Sequence, residues 1–490
     1  MFERGAADEV LRWLSALPGS RDPRRADLAI RRAYLQTMLG NTRLADQVVH
    51  DLDTGDLSAG ERIAVDALRT TWALWHASPS SVIDAADAVL AAVDDIDPED
   101  LPNIFELTTP PRLRMMAAGS RARALWYLGE IDARRRALVA LVHEPDAYPP
   151  WRVNVLGALA LLEACAGNLR AASEHARDAL AAATATHLQD HPATIDARLA
   201  NAHVARERGD LRRAEALLAD LHARPTRSRR PVTLALHSVE QALWYLAAGH
   251  PERGLAELER NRASGDPPPP AAVDARQHAA EVRLLVAQGD IGRARSVLDR
   301  AVEQCPPTSD LAAVAVLVAV ARHDLEAAAT RLGSWRPDAV EPRARLEREL
   351  WAAIVAAESG DRRQARARVV PLIAEARDEG HVRLFLDAGW PVERLLRGLH
   401  PASPSPYLRR ILECARSSRD AATREAPAGL SDRELEVVRY LPTALSNAEI
   451  AAHLYVSVNT LKTHLRAIYR KLGVTGRREA IERAEDLGVA

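Results

Sequence analysis

Lysine is almost missing from this chain. Of its 65 basic residues only Lys462 and Lys471 are lysine, and residues 1–461 hold none. A phosphate-cradling loop of the G-x-x-x-x-G-K-[ST] kind needs a lysine after its glycines, so an ordinary nucleotide hydrolase is excluded. Cysteine is scarce too. Cys165, Cys305 and Cys414 lie far apart, which is neither a disulfide framework nor a zinc-binding spacing. They read as buried, inert thiols in a reducing cytosol, so the expected location is cytoplasmic. No run of about 18 apolar residues occurs, and no basic stretch leads into an apolar one, so neither a membrane span nor a secretory signal is expected. Aromatic residues make up 4%, and no alternating β-branched run stands out. A phospho-receiver domain, which alternates strands and helices, is therefore not expected. The net charge of −2 means that affinity for nucleic acid has to come from a local patch.

What is present in quantity is alanine, leucine and arginine with helical periodicity, from residue 1 to about 400. A chain of 490 residues should hold more than one folding unit. Within the helical region a small residue, then a polar one, then Ala or Gly a few positions on recurs. The copies are Gly40-Asn41…Ala45, Gly129-Glu130, Gly167-Asn168…Ala172, Gly209-Asp210…Ala214, Gly249-His250…Gly254, Gly289-Asp290…Ala294, His323-Asp324…Ala328 and Gly360-Asp361…Ala365, with a degenerate one at Ser80…Ala85. Spacings from Gly129 onward are 38, 42, 40, 40, 34 and 37 residues. Such a period predicts stacked helical hairpins. The Gly would end one helix in a left-handed cap, the Asp or Asn would open the next, and the Ala would let the pair approach closely. One hairpin cannot bury its own apolar stripe, so neighbours must stack into a solenoid. Trp126, Trp244 and Trp351 fall on repeat helices and read as core. The units resemble degenerate tetratricopeptide repeats.

Pro267–Pro270 reads as a stiff loop. His400–Pro406, "HPASPSP", cannot continue a helix and marks a boundary. A short helix is expected at Tyr407–Arg416, then a flexible hinge at Ser417–Gly429. The domain reading is 1–400 repeats, 401–429 linker with a short helix, and 430–490 a separate small domain.

From Leu430 the local signals are dense. Ser431…Glu434 and Ser446…Glu449 are capping boxes. The first opens a helix with Leu435, Val438 and Leu441 inward, and the second a short helix burying Ile450, Ala451 and Leu454. Ser457 caps a third helix. On it Val458, Leu461, Leu465, Ile468 and Leu472 make one apolar face. Asn459, Lys462, Thr463, Arg466 and Arg470 lie opposite, with Lys471 beside them. No acidic residue occurs from 458 to 472, whereas the whole of 430–490 has nine basic and eight acidic residues. The charge is focused on one helix face, of a size that enters the major groove of B-DNA. Gly473 ends this helix, and Thr475 starts a fourth, roughly Gly476–Leu487.

The stretch "LSDRELEVVRYL…LSNAEIAAHLYVSVNTLKTHLRAIYRKLGVTGRREAI" closely resembles the DNA-binding domain of the LuxR family of bacterial regulators, over nearly all of residues 430–482. The resemblance implies that Lys462 is the main base-contacting residue, with Thr463 and Arg466 also facing bases. It implies that Ser457, Asn459 and Thr460 lie near phosphates at the helix N-terminus, where free amides favour anions. It further implies that Arg470 and Lys471 touch backbone, that His464 packs or orients, and that Ala480, Ile481 and Ala484 form the dimerising helix. In one place the chain departs from the family pattern: the usual glycine of the first interhelix turn is replaced near Ala444-Leu445, and Pro442 intrudes.

A second resemblance lies at Gly380–Leu399, "GHVRLFLDAGWPVERLLRGL". It is similar to the segment before the DNA-binding domain in the large MalT-like regulators, which join an ATPase, a helical repeat sensor and a LuxR-type domain. With no lysine before residue 462 to make its phosphate-binding loop, the ATPase is not expected here. The expected fold is all-α: a helical-hairpin repeat solenoid, degenerate tetratricopeptide-like, followed by a small four-helix helix-turn-helix domain. The expected protein is a non-enzymatic transcriptional regulator without cofactor. Its implied partners are promoter DNA bound as a homodimer, RNA polymerase, and an effector ligand or protein at the repeats. The alternative is an interaction scaffold with a vestigial DNA domain. His187 and His191 have metal-like spacing, but His191 precedes Pro192 and no third ligand is evident, so no metal is expected.

Overall fold

The structure, a computed structural model, describes the chain except residues 1–6, 17–25, 39–40, 53–56, 72–77, 105–106, 143–147, 224–230, 265–268, 390–391, 393–394, 397–404, 426–429, 431, 444, 455–457 and 487–490. Gly40, Pro267–Pro268 and most of the 400–406 boundary thus lie outside the described residues.

The helices in chain order are α1 (Ala7–Ala16), α2 (Ala26–Met38), α3 (Thr42–His50), α4 (Ala59–Thr70), α5 (Pro79–Ala92), α6 (Pro110–Tyr127), α7 (Ile131–Val142), α8 (Pro149–Ala166), α9 (Leu169–Ala185), α10 (Ile195–Glu207), α11 (Leu211–Ala223), α12 (Pro231–Ala248) and α13 (Pro251–Ser264). They continue as α14 (Ala271–Gln288), α15 (Ile291–Gln304), α16 (Ser309–Ala321), α17 (Leu325–Ser334), α18 (Pro342–Glu358), α19 (Arg362–Glu379), α20 (Arg383–Leu386), α21 (Pro406–Glu425), α22 (Asp432–Tyr440), α23 (Asn447–His453), α24 (Val458–Leu472) and α25 (Arg477–Asp486). No strand occurs among the described residues.

Helices pair as hairpins from α2–α3 to α18–α19, and the clear turn motifs fall between the partners. Even-numbered helices such as α8 and α16 are buried on nearly every face. Odd-numbered ones such as α9 and α15 bury a single stripe. The inner helices therefore need apolar residues all round, and the outer ones show the amphipathic period. The motif alanines Ala45, Ala172, Ala214, Ala294, Ala328 and Ala365 are all buried, where the paired helices meet.

The turn glycines adopt the left-handed conformation expected of a helix cap; Gly167 has φ +99°. His323 takes the same region at φ 59° without being glycine. The capping expectation divides by residue type. Asp210, Asp290, Asp324 and Asp361 each accept from the amide three residues on. Asn41 and Asn168 do not cap; the Asn168 amide turns back to Glu163 instead. Ser80…Ala85 is no turn at all: it lies within α5, which Ser78 caps. Gly167 is further constrained, since a Cβ there would stand 2.4 Å from Cβ of Arg343 on α18. Gly167→Ala should combine left-handed strain with this clash and cost about 2–4 kcal/mol, read from urea unfolding by tryptophan fluorescence. A loss below about 1 kcal/mol would contradict that close approach.

The contact between Gly167 and Arg343 has a wider meaning. It shows that the stack winds tightly enough for α18 to reach α8. The space between α10, α12, α14 and α18 is filled by ion pairs in consequence. Glu240 on α12 accepts from Arg206 (2.9 Å) and contacts His203 Nδ1 (2.7 Å) on α10. Glu207 accepts from Arg206 (3.0 Å) and, 136 positions along, from Arg343 (3.1 Å). Glu347 on α18 accepts from Arg343 and from Arg283 on α14, each at 2.8 Å. The amide of Val382 closes the set on the Glu207 carbonyl at 2.9 Å. A cavity of about 70 Å³ is left among these groups.

The linker reading needs correction. Helix α21 runs to Glu425, so the polar stretch read as a hinge is helical to that point. No Gly or Pro interrupts Tyr407–Glu425, and its Ala and Arg residues favour helix. Leu408, Ile411 and Leu412 are buried in the same core as Val382 and Phe385. The first turns of α21 thus belong to the repeat body. Leu430 already belongs to a separate core made by α22–α25.

Trp351 is fully buried and Trp126 nearly so, with the Arg134 guanidinium 4.1 Å above the Trp126 ring. Trp244 is half-buried and donates to the Leu211 carbonyl. The cysteines are free thiols, and only Cys305 is buried. Burial, then Asp274, pushes the Cys305 thiol up to about 11. Among the described residues no helix is long and apolar enough to cross a membrane.

Candidate nucleic-acid interface

The last four helices pack around one apolar centre. Val437, Val438, Leu441, Ile450, Ala451 and Leu454 from α22 and α23 meet Leu461, Leu465, Ile468 and Leu472 of α24. Each of those α24 side chains contributes about 1.5–3 kcal/mol by leaving water. Leu435 packs at the edge, and Val458 is 39% exposed instead of joining the inner face.

The short α23 begins with a complete capping box. The Ser446 amide donates to Glu449 (2.7 Å), and the Glu449 amide donates to the Ser446 hydroxyl (3.3 Å). Hydrogen bonding from the Ser446 side chain, and then from its amide, holds the Glu449 carboxyl below its ordinary range. The Ser431 box lies outside the described residues. Its carboxylate, Glu434, is buried and accepts from Lys471 Nζ at 2.6 Å. The two ends of α24 are therefore unlike. Lys462, Thr463, Arg466 and Arg470 are exposed along the outward face, with Thr460 one turn earlier. Lys471, beside the row, is tied to α22 by this ion pair. Ser457 lies outside the described residues, as does the side chain of Asn459. His464 is half-buried at the border of the two faces, in keeping with a packing role. Gly473 ends α24 at φ 70°.

The turn between α22 and α23 breaks the family pattern at Pro442 and Ala444, the latter outside the described residues. It is held by a side chain that sequence reasoning passed over. Arg477, at the start of α25, donates to the carbonyls of Leu441 (3.0 Å), Leu445 (2.8 Å) and Thr443 (2.8 Å). The guanidinium thus supplies donors to the carbonyls of the turn and, at 3.4 Å, to that of Tyr440, the last residue of α22. An arginine 34 positions from Thr443 carried no local signal. Arg477→Ala should cost roughly 2–3 kcal/mol, since hydrogen bonds to a charged donor are worth about 1.5–3 kcal/mol and do not add fully. All nine tryptophans precede residue 391, so their fluorescence reports the repeats alone. Hydrogen exchange in α22–α25 is the proper readout, and unchanged protection there would refute the clamp.

The expected dimerising residues fare unevenly. Ala480 and Ala484 are fully buried in the domain's own core, and Ile481 is partly buried against it. Their i, i+4 spacing puts the two alanines on the inner face of α25, where they cannot meet a partner. Glu482 and Arg483 are the exposed neighbours.

The histidine pair is not a metal site in form. His191 Nδ1 caps the turn at Pro192 by accepting from the Ala193 amide, and His187 sits at positive φ. A different trio, Asp274, His278 and Cys305, brings three possible metal-binding atoms within 4.8 Å of one another. There the His278 Nδ1 already contacts the Asp274 carbonyl, and the Cys305 thiol donates to the Asp274 carboxylate.

Two short helices, the second closed by a capping box, followed by a third with an apolar inner face and a basic outer face define a helix-turn-helix domain. Residues 428–484 match the family model described as bacterial regulatory proteins, luxR family, so the C-terminal unit is a LuxR-type helix-turn-helix domain. Over 58 residues the chain is 43% identical to the HTH-type transcriptional regulator MalT of Serratia proteamaculans (strain 568). That stretch is 12% of this chain and 6% of that protein, so the likeness concerns the small domain alone. The solved structure of the APC/C hetero-tetramer Cut9-Hcn1 aligns with 98% of this chain and 93% of its own at 10% identity, with a TM-score of 0.37. A likeness that slight supports no statement about this protein.

Proposed function

We propose that this protein is a transcriptional regulator that binds specific promoter sites through α24 and is governed by what its helical repeats bind. The observation that carries the reading is the exposed row Lys462, Thr463, Arg466 and Arg470 on a helix whose other face is locked into a LuxR-type core. Lys462 and Arg466 stand one turn apart, and α24, at 15 residues, is about 22 Å long. That length lies along a major groove with its polar side chains at base edges and its N-terminal amides near phosphate. Ser457, Asn459 and Thr460 belong to that phosphate-facing end. Lys471 acts by holding α24 against α22 rather than by touching DNA.

Dimerisation on DNA through α25 requires its outer residues, because Ala480 and Ala484 are spent on the core. RNA polymerase is the natural further partner of a promoter-bound activator, and the repeats supply the control. The unit that reads DNA runs from Leu430 to the C-terminus, and the repeat body includes the start of α21.

The test is retention of genomic fragments by the full chain near 150 mM salt, where non-specific phosphate binding has weakened steeply. Recovery of a recurring, roughly palindromic sequence, with half-sites about one helical turn apart, is the expected result. Failure to enrich any fragment would point to a protein-binding scaffold.

A further inference from the structure

The ion-paired cluster between α10, α12, α14 and α18 leaves only about 70 Å³, so space for an effector has to be sought elsewhere. A groove of about 660 Å³ lies on the flank, between α9, α10, the α10–α11 turn and α21. This is within the usual range for small-molecule sites. Its floor includes Val204 and Ala205, both buried. Its walls carry Arg177, Arg208, Arg213 and Arg410, with Asp210 the one acidic residue lining it.

Two of these arginines are held in place by carbonyl oxygens. Arg208 Nε donates to the main-chain carbonyl of Glu379 at 3.2 Å, and Arg410 Nη2 donates to the carbonyl of Arg208 at 2.8 Å. A carbonyl fixes a guanidinium but cancels none of its charge. Asp210 is engaged by the Arg213 amide as a helix cap, and Arg177 faces Asp178 only loosely, at 3.5 Å. Burial is the main influence lowering the Arg208 pKa; Glu379 opposes it, and the nearby Arg170, Arg213 and Arg410 add to it. Like charges gathered over an apolar floor are what an anion would relieve.

The position of Arg410 gives the groove a use. It stands on α21, and Tyr407 on the same helix donates to the His381 carbonyl at 2.6 Å. Beyond α21 comes the helix-turn-helix domain. A ligand held by Arg208 and Arg213 on one side and Arg410 on the other would join the repeats to the helix that leads to the reader.

We infer that this groove is the effector site, and that it takes a small anion bearing at least two phosphate or carboxylate charges. The inference rests on the regulator reading for its purpose but not for its first test. Titration calorimetry of the full chain at constant ionic strength, using pyrophosphate and, separately, citrate, needs no DNA. Saturable binding of one molecule per chain is expected for at least one of the two, and the stronger binder tells phosphate from carboxylate. The paired variant Arg208→Gln/Arg410→Gln should weaken it at least tenfold, whereas Arg409→Gln, one position away and outside the groove, should not. No saturable binding of either anion, or equal binding by the paired variant, overturns the site. Circular dichroism of the variant guards against misfolding, and single Arg213→Gln, with its side chain on the surface, repeats the test if the pair fails to fold. In the second test the probe that binds should shift the full chain's affinity for a selected promoter fragment by at least about fivefold. Binding without such a shift overturns the effector role. Failure of fragment selection would instead refute the DNA reading, and anion binding seen by calorimetry would stand independently of it.

Discussion

A chain carrying Lys462→Ala and Arg466→Ala is expected to lose selective retention of its promoter fragments altogether. Both side chains are exposed on the outward face of α24. Neither forms part of the core that folds the domain. A well-placed contact to a base is worth about 1–3 kcal/mol of discrimination, so removing two should lower specific affinity by at least about thirtyfold. Folding should be untouched, with hydrogen exchange in α22–α25 as in the parent. If the two residues met only phosphates, affinity would fall evenly across sequences, and the salt dependence would drop by about two ions. Promoter retention equal to that of the parent would refute the assignment of α24 as the reading helix. Lys471→Ala should behave differently. It leaves the buried Glu434 without its ammonium partner. The domain should lose stability while discrimination among fragments persists.

Arg206→Ala should destabilise the repeat body by about 3–5 kcal/mol, the usual cost of removing one partner from a buried ion pair. Arg206 is 3% exposed and serves both Glu207 and Glu240. Removing it takes one cation from each of two buried carboxylates, leaving Glu207 to Arg343 and Glu240 to His203. Tryptophan fluorescence during urea unfolding measures the loss, and a change under about 1 kcal/mol would contradict the proposed importance of the cluster. The same groups set an acid limit. Burial alone would raise the Glu240 carboxyl; Arg206 and His203 outweigh it and bring it down to about 2. Glu207 is likewise held well below the usual carboxylate range, against burial, by Arg343 and Arg206. A carboxylate depressed on folding stabilises the native state above its unfolded pKa near 4.5 and stops doing so as pH falls through the folded value. Stability of the repeats should therefore fall between about pH 4.5 and pH 2, and more shallowly in the Arg206→Ala chain.

The hairpin turns and the reader were legible because their signals are local. A left-handed residue, an aspartate and a small residue each act within one turn of helix. So do the Ser446–Glu449 box and the apolar face from Leu461 to Leu472. The asparagines misled because a short amide finds another partner, as Asn168 finds Glu163. The hinge reading failed because polarity was taken for flexibility in a stretch with no helix breaker. The alanines of α25 misled because resemblance named the helix, while its own packing decided which face is free.

By itself the sequence determined an all-helical chain of hairpins with a DNA-reading domain at its end, because helix periodicity, caps and one basic face are short-range properties. Only the tertiary structure decided which charges are free to act. Whether Glu207 meets Arg343, Arg477 meets Thr443 or Lys471 meets Glu434 depends on how helices wind far along the chain. In a protein this rich in arginine, composition cannot tell a paired guanidinium from an unpaired one. The winding spends Arg206, Arg283 and Arg343 on the core and leaves Lys462 and Arg466 exposed.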